Sequence, residues 1–145
     1  MKIVVDPELK AADETIIRDG LLAYNDARID SDEGHIGVLL KDDAGQTIGG
    51  LTGHWYYGWM FVEYLYIPEV VRGEDIGTRL MAEAERLARD RGLDGIWLDS
   101  YSFQAPGFYE KLGYSQFGEI QNYPPGHTRH FLSKRLNGAP SARTS

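Results

Sequence analysis

A mixed α/β domain, with a central, mostly antiparallel β-sheet flanked by helices, is the fold class that this sequence predicts. Three observations predict it. Two strand-like segments, 35–41 and 47–57, flank the turn-forming stretch Asp42-Asp43-Ala44-Gly45-Gln46. Trp59 to Ile67 is almost continuously apolar and aromatic. Ile76 to Arg91 carries an apolar stripe at helical spacing. Neighbouring hairpins with helices interposed suit a mixed sheet better than a doubly wound one.

Taken in order, Lys2 to Asp6 reads as a short β-branched strand. A helix is expected from Asp13 as N-cap, with Ile16, Ile17, Gly20, Leu21 and Tyr24 on one face, followed by an acidic loop over 30–34. Within the second strand of the hairpin, Gly49-Gly50 predicts a bulge or a close backbone approach. The run from Trp59 reads as a central strand covered on both faces, and Pro68 ends it. In the long helix, Ile76, Leu80, Met81, Ala84, Leu87 and Ala88 form the stripe, Glu85 and Arg89 pair on the opposite face, and Gly92 supplies the stop. A short strand over 95–100, a short helix over 104–112 ending at Gly113, and a final strand pair over 114–122 and 128–136 complete the domain. One domain spanning 1–136 is expected, with 137–145 as a flexible C-terminal tail of small and polar residues.

Composition narrows the chemistry. The 145 residues include no cysteine, which excludes disulfides, thiolate zinc sites, iron–sulfur clusters and cysteine nucleophiles. Fifteen basic side chains stand against 22 acidic ones, and residues 120–145 hold four of the bases and no acid, so the remainder carries 11 − 22 = −11. An acidic body argues against nucleic acid as partner and favours cationic small molecules. No apolar run approaches the ~18 residues of a membrane span, and the run after Lys2 is too short for a signal-peptide core, so the expectation is a cytoplasmic protein with no membrane partner.

Two stretches carry chemistry. In Ile67-Pro68-Glu69-Val70-Val71-Arg72-Gly73-Glu74-Asp75-Ile76-Gly77-Thr78 a buried strand gives way to a loop and a long helix. Unpaired backbone N–H groups and the positive end of the helix dipole converge there, which suits a phosphate or pyrophosphate; Asp75 serves equally as an N-cap. In Ala105-Pro106-Gly107-Phe108-Tyr109-Glu110-Lys111-Leu112-Gly113-Tyr114 a short amphipathic helix presents Tyr109, which reads alternatively as a packed ring with a wet hydroxyl.

Together these stretches resemble the GNAT acetyltransferase superfamily, whose members transfer acetyl from acetyl-CoA to amines. The first is similar to the motif Q/R-x-x-G-x-G/A, with Arg72 at the first position and Gly77 at the last; the middle glycine is Asp75 here. The second is similar to A-x-x-x-Y-x-K-x-G-F/Y, with Ala105, Tyr109, Lys111, Gly113 and Tyr114 in register. An asparagine often found seven residues before the tyrosine is Ser102 here. The resemblance implies a GNAT-like sheet and acetyl-CoA as donor substrate, with no metal. It also implies direct transfer in a ternary complex to a primary amine on a small molecule, peptide or protein. The implied coenzyme contacts are Leu65, Tyr66, Ile67, Arg72, Gly73, Glu74, Asp75, Ile76, Gly77, Thr78 and Ser102, and the implied acid protonating the thiolate is Tyr109. A non-catalytic acyl-CoA-binding or regulatory module of the same fold is the alternative that Asp75 favours.

Glu63 is the candidate base: a carboxylate in an otherwise apolar strand is costly unless paired, and burial raises its pKa toward a useful range. An ion pair is the competing reading; Asp99 is a second carboxylate at the end of the next strand. For the acceptor, Trp55 and Tyr57 of the His54–Trp59 cluster, and Tyr123 and His127 of the 123–127 loop, offer aromatic walls for a cationic amine. The Trp55–Trp59 aromatics also offer a homodimer surface. His127 and His130 lack a third metal ligand at supporting spacing and alternate across a strand.

Overall fold

The computed structural model describes residues 1–71, 73 and 75–136. Two compact units appear, 1–31 and 32–145. The first unit holds helix α1, Ala11–Asp26. It begins two residues before the expected Asp13, with Lys10 at the N-cap position, and the Lys10 carbonyl accepts from the N–H groups of Asp13 and Glu14 at 3.1 and 3.0 Å. Asp13 and Glu14 instead occupy the first turn, where their charge complements the helix dipole. The predicted strand at Lys2–Asp6 does not form. Strand propensity counts only when a partner strand is hydrogen-bonded, and the Asp6 carboxylate instead accepts the Glu8 N–H at 2.9 Å in a local turn ahead of the helix.

The second unit is a six-stranded sheet ordered β1-β2-β3-β4-β6-β5, comprising β1 Gly34–Lys41, β2 Thr47–Tyr56, β3 Trp59–Tyr66, β4 Gly95–Tyr101, β5 Ser115–Gln121 and β6 Thr128–Arg135. Among the described residues only the β3–β4 pair is parallel. Helix α2, Ile76–Asp90, connects those two strands, and the short α3, Pro106–Lys111, precedes β5. The Asp42 carboxylate closes the first hairpin by accepting the Ala44 and Gln46 N–H groups, both at 2.9 Å. At Gly49 the backbone approach is close: an added Cβ would lie 2.5 Å from the Tyr66 carbonyl oxygen.

The core lies between α2 and one face of the sheet. Leu80, Met81, Ala84 and Ala88 of the helical stripe meet Leu51, Trp55, Met60, Val62, Ile96, Leu98 and Leu132. Glu85 departs from expectation: it is 8% exposed rather than on a solvated face. Tyr114 Oη donates to its Oε2 at 3.0 Å and Lys134 Nζ donates to its Oε1 at 2.9 Å, while Arg89 stands farther off at 3.6 Å. Helical spacing identified the Arg89 neighbour but not the two distant partners that make burial of this carboxylate tolerable.

Strand β3 changes phase at a bulge. Tyr64 pairs with Thr52 and Val62 with Gly53, which leaves Glu63 as the extra residue. Met60 and Val62 are buried before the bulge; Leu65 and Ile67 are the inward, half-buried positions after it, and Tyr64 and Tyr66 are 66% and 61% exposed. The strand is therefore not covered on both faces along its length, because one inserted residue exchanges the faces of everything that follows.

Candidate active site

The bulge also opens the sheet. Parallel pairing of β3 with β4 covers only Trp59↔Gly95, Met60↔Ile96 and Phe61↔Trp97. Beyond these the strands diverge around a cleft of about 1100 Å³, lined by β3 from Val62 onward, by the start of α2, by Leu98 to Ser100 of β4 and by α3. Past Phe61, β3 keeps β2 on one side and, among the described residues, has no strand on the other, so alternate backbone amides and carbonyls of 63–66 face the cleft.

At one end of the cleft stands the α2 N-terminus. Its first intrahelical bond runs from the Arg79 N–H to the Asp75 carbonyl at 3.0 Å, so the N–H groups of Ile76, Gly77 and Thr78 have no partner within the helix. Asp75 occupies the N-cap position but makes no side-chain capping bond, and its backbone is left-handed, with φ 56° and ψ 25°. That is the conformation a glycine adopts most readily, which is why the family motif's glycine fits at this position. Gly77 is fixed by packing: an added Cβ would sit 2.9 Å from Phe108 Cζ and 3.2 Å from Ile67 Cδ1. Arg72 and Glu74 lie outside the described residues; Gly73 and Asp75 border the cleft.

Tyr109 reaches the cleft from α3, where its ring meets Phe108 and Tyr114 edge-on at 5.0 and 6.2 Å. Burial pushes its phenol up to about 12, and the nearby Asp99 carboxylate adds to the effect. The hydroxyl therefore keeps its proton throughout the physiological range. Asp99 is engaged by Arg129, whose Nε and Nη2 donate to its two oxygens at 3.0 and 2.8 Å, a paired fork in which the carboxylate side chain is 12% exposed. That hydrogen bonding raises the guanidinium's proton affinity further. Arg129 Nη1 donates to Tyr123 Oη at 2.9 Å, and the guanidinium lies 5.0 to 5.4 Å from the ring centres of Tyr101, Tyr123 and Phe131.

Glu63 lines the cleft but is exposed on the bulge, so the expected burial of its carboxylate is absent. Ser102 does not border the cleft: its hydroxyl accepts from the Thr128 N–H at 3.0 Å and lies 3.2 Å from His127 Nδ1. Tyr123 and His127 sit at the cleft end of β4. Phe103, a cleft residue, stacks on Tyr101 at 5.3 Å and meets the His127 ring edge-on at 5.0 Å. Trp55 and Tyr57 are not brought to this site. Trp55 is a core residue, 5% exposed, and Tyr57 occupies the β2–β3 turn with φ 54°. Six residues separate that turn from Glu63, about 20 Å of strand, toward the end where β3 and β4 are still paired. Among the described residues no group of three or more His, Asp or Glu side chains has metal-binding geometry, and no helix is long and apolar enough to cross a membrane.

Sequence reasoning missed Arg129, Phe103 and Gln104. The Gln104 side-chain oxygen accepts the Tyr101 N–H at 2.9 Å and so shapes the cleft's rim. Arg129 had no local signal, since only the register Tyr101↔Arg129 and Asp99↔Phe131 brings it beside Asp99.

A family model described as the acetyltransferase (GNAT) family matches residues 6–114, which includes both strands of the cleft, α2 and α3. The chain belongs to the GNAT acetyltransferase family. An acetyltransferase of Agrobacterium fabrum is 36% identical over 137 residues, covering 94% of this chain and all of that protein. The Blasticidin-S acetyltransferase of Streptomyces morookaense is 42% identical over 95 residues, 65% of this chain and 70% of that one. Among solved structures, an acetyltransferase from Bacillus cereus superposes with a TM-score of 0.86 at 32% identity, covering 93% of this chain and 98% of that one. A Bacillus anthracis structure described as a streptothricin acetyltransferase in complex with acetyl coenzyme A is more distant. Its 22% identity over 64% of this chain and 59% of that one, with a TM-score of 0.58, shows the fold alone. The GNAT sheet expected from the two motifs is the sheet observed, and the protein is an acetyltransferase of that family.

Proposed function

We propose that this GNAT protein is an N-acetyltransferase that moves the acetyl group of acetyl-CoA directly to a primary amine. Residues 1–136 would serve as its single acetyltransferase domain. The observation that carries the reading is one continuous cleft running from the free amides of α2 past the unpaired edge of β3 to Tyr109. The Ile76, Gly77 and Thr78 amides suit the pyrophosphate of the coenzyme. The backbone of Leu65, Tyr66 and Ile67 suits its pantetheine amides, which would lie along β3 as a missing strand does. The Bacillus anthracis fold relative, crystallised with acetyl coenzyme A, supports this choice of donor.

In the reaction the amine attacks the thioester carbonyl, the carbon–sulfur bond breaks, and the thiolate takes a proton. Tyr109 is the donor of that proton. Against an ordinary thiol of pKa ~8.5, a phenol near 12 gives up its proton reluctantly. The same cleft desolvates the departing thiolate and raises its own proton affinity, which narrows the mismatch. Glu63, exposed in the cleft, takes the amine's proton directly or through water. Phe103 borders the end where an acceptor enters, with His127 against its ring and Tyr123 beside Tyr101 just behind it, and the chain's net charge of −7 favours a cationic acceptor.

The test is an amine panel with acetyl-CoA, led by blasticidin S because a relative carries that name, with free thiol followed over time. Amine-dependent thiol release and an N-acetylated product are expected. Acetyl-CoA binding with no turnover of any amine would overturn the enzyme reading in favour of the coenzyme-binding module that Asp75 favours.

A further inference from the structure

The buried Glu85 carboxylate is used by no step above, yet it is joined to both halves of the site. It projects from α2, the helix whose first turn borders the donor end of the cleft. Its two oxygens receive Tyr114 Oη at 3.0 Å and Lys134 Nζ at 2.9 Å. Lys134 Nζ also donates to the Leu112 carbonyl at 2.8 Å. Leu112 and Tyr114 in turn donate their N–H groups to the Tyr109 carbonyl, at 3.0 and 3.1 Å. Tyr114, 2% exposed, lays its ring against that of Tyr109.

Gly113 makes the crossing feasible. Its φ of 97°, a left-handed backbone conformation that side chains other than glycine's rarely adopt, turns the chain out of α3 beside the Lys134 side chain on its way to Leu112. We infer that Glu85, Lys134 and Tyr114 are positioning residues that lock the turn after α3 to α2 and thereby hold the Tyr109 hydroxyl at the thioester sulfur. The inference rests on Tyr109 acting as the acid. It assigns a kinetic role to a carboxylate and a lysine that are 49 positions apart. A charge network in which both Glu85 oxygens and the Lys134 ammonium have partners within the fold keeps one geometry, whereas an apolar replacement of equal bulk fills the space without fixing the turn.

The experiment replaces the charged pair together, Glu85→Met/Lys134→Met, so that neither charge is stranded, and reads two quantities on the full chain. Amide exchange at Leu112 and Tyr114 is expected to accelerate about tenfold, while the Arg91 amide at the far end of α2 keeps its protection. Thiol release from acetyl-CoA with hydroxylamine, a small amine unprotonated at neutral pH, is expected to lose about tenfold in kcat with KM for acetyl-CoA within twofold. In a Tyr109→Phe background the same pair should change kcat by less than twofold, because there is no hydroxyl left to misplace. Equal losses in both backgrounds, uniform acceleration of all three amides, or an unchanged kcat would overturn the inference. If Tyr109→Phe alone leaves kcat unchanged, the acid reading itself fails. A failure of the network alone looks different: Tyr109→Phe is slow while the double replacement is fast.

Discussion

Replacing Asp75 by glycine separates its electrostatic effect on the donor site from its effect on folding. The side chain makes no capping bond, so none is lost. Leaving the left-handed region to a glycine relieves about 1 kcal/mol of strain, since Asp tolerates φ > 0 better than most residues. Against that stand about 0.5 to 1 kcal/mol of added unfolded-state freedom and a few tenths for removing a negative charge from a helix N-terminus. Stability should therefore change by less than about 1 kcal/mol. Affinity should move more. A carboxylate roughly 6 Å from a pyrophosphate repels each of its charges by about 0.7 kcal/mol in water, ~1.4 for two, and physiological salt roughly halves the sum. Asp75→Gly should tighten acetyl-CoA binding about three- to tenfold, with the gain shrinking as salt rises. Calorimetry at two ionic strengths, beside a urea denaturation, provides both numbers. Unchanged affinity with lowered stability would refute the reasoning and make Asp75 a structural residue of the loop.

Tyr109→Phe should lower kcat about 100-fold with little change in acetyl-CoA affinity, read by thiol release. The same variant has a stability signature: a phenol whose pKa rises from 10 to about 12 on folding contributes stability that is intact below pH 10 and is lost as pH climbs toward 12. The wild type should therefore lose up to about 2 to 3 kcal/mol more than Tyr109→Phe between pH 9.5 and 12, measured by urea midpoints; parallel curves would remove the buried phenol from the account. Glu63→Gln should leave the melting temperature unchanged, because the side chain is exposed on a bulge. It should depress kcat/KM about 100-fold on the acidic side of the profile, and a flat profile would assign proton removal to water. Arg129→Met should cost about 2 kcal/mol, less than for a fully buried pair because 24% of the arginine side chain is exposed, and Asp99→Asn in the same chain should recover part of that loss.

Local pattern was enough for what local physics decides. The stripe Leu80, Met81, Ala84 and Ala88 repeats at the period of a helix, so it specified α2 and its buried face without reference to the rest of the chain. The 42–46 turn was equally legible, because Asp42 closes it with its own carboxylate. The two motifs specified the family because they place a helix start and a phenol at fixed distances along the chain. Tertiary structure alone decided the remainder. Glu63 looked buried because its neighbours are apolar, but alternation from Met60 and Val62 sets it on the face away from the core, and a one-residue bulge there, invisible to any periodic count, shifts the phase of Tyr64 to Tyr66 where the cleft opens. Trp55 and Tyr57 looked like a binding wall because they are aromatic and clustered, yet strand direction carries them away from the splayed end. Asp99 met Arg129, and Glu85 met Lys134 and Tyr114, across 29 to 49 residues of chain. Those pairings depend on sheet register and helix docking, which are set by the summed burial of many side chains and are written in no short stretch of the sequence.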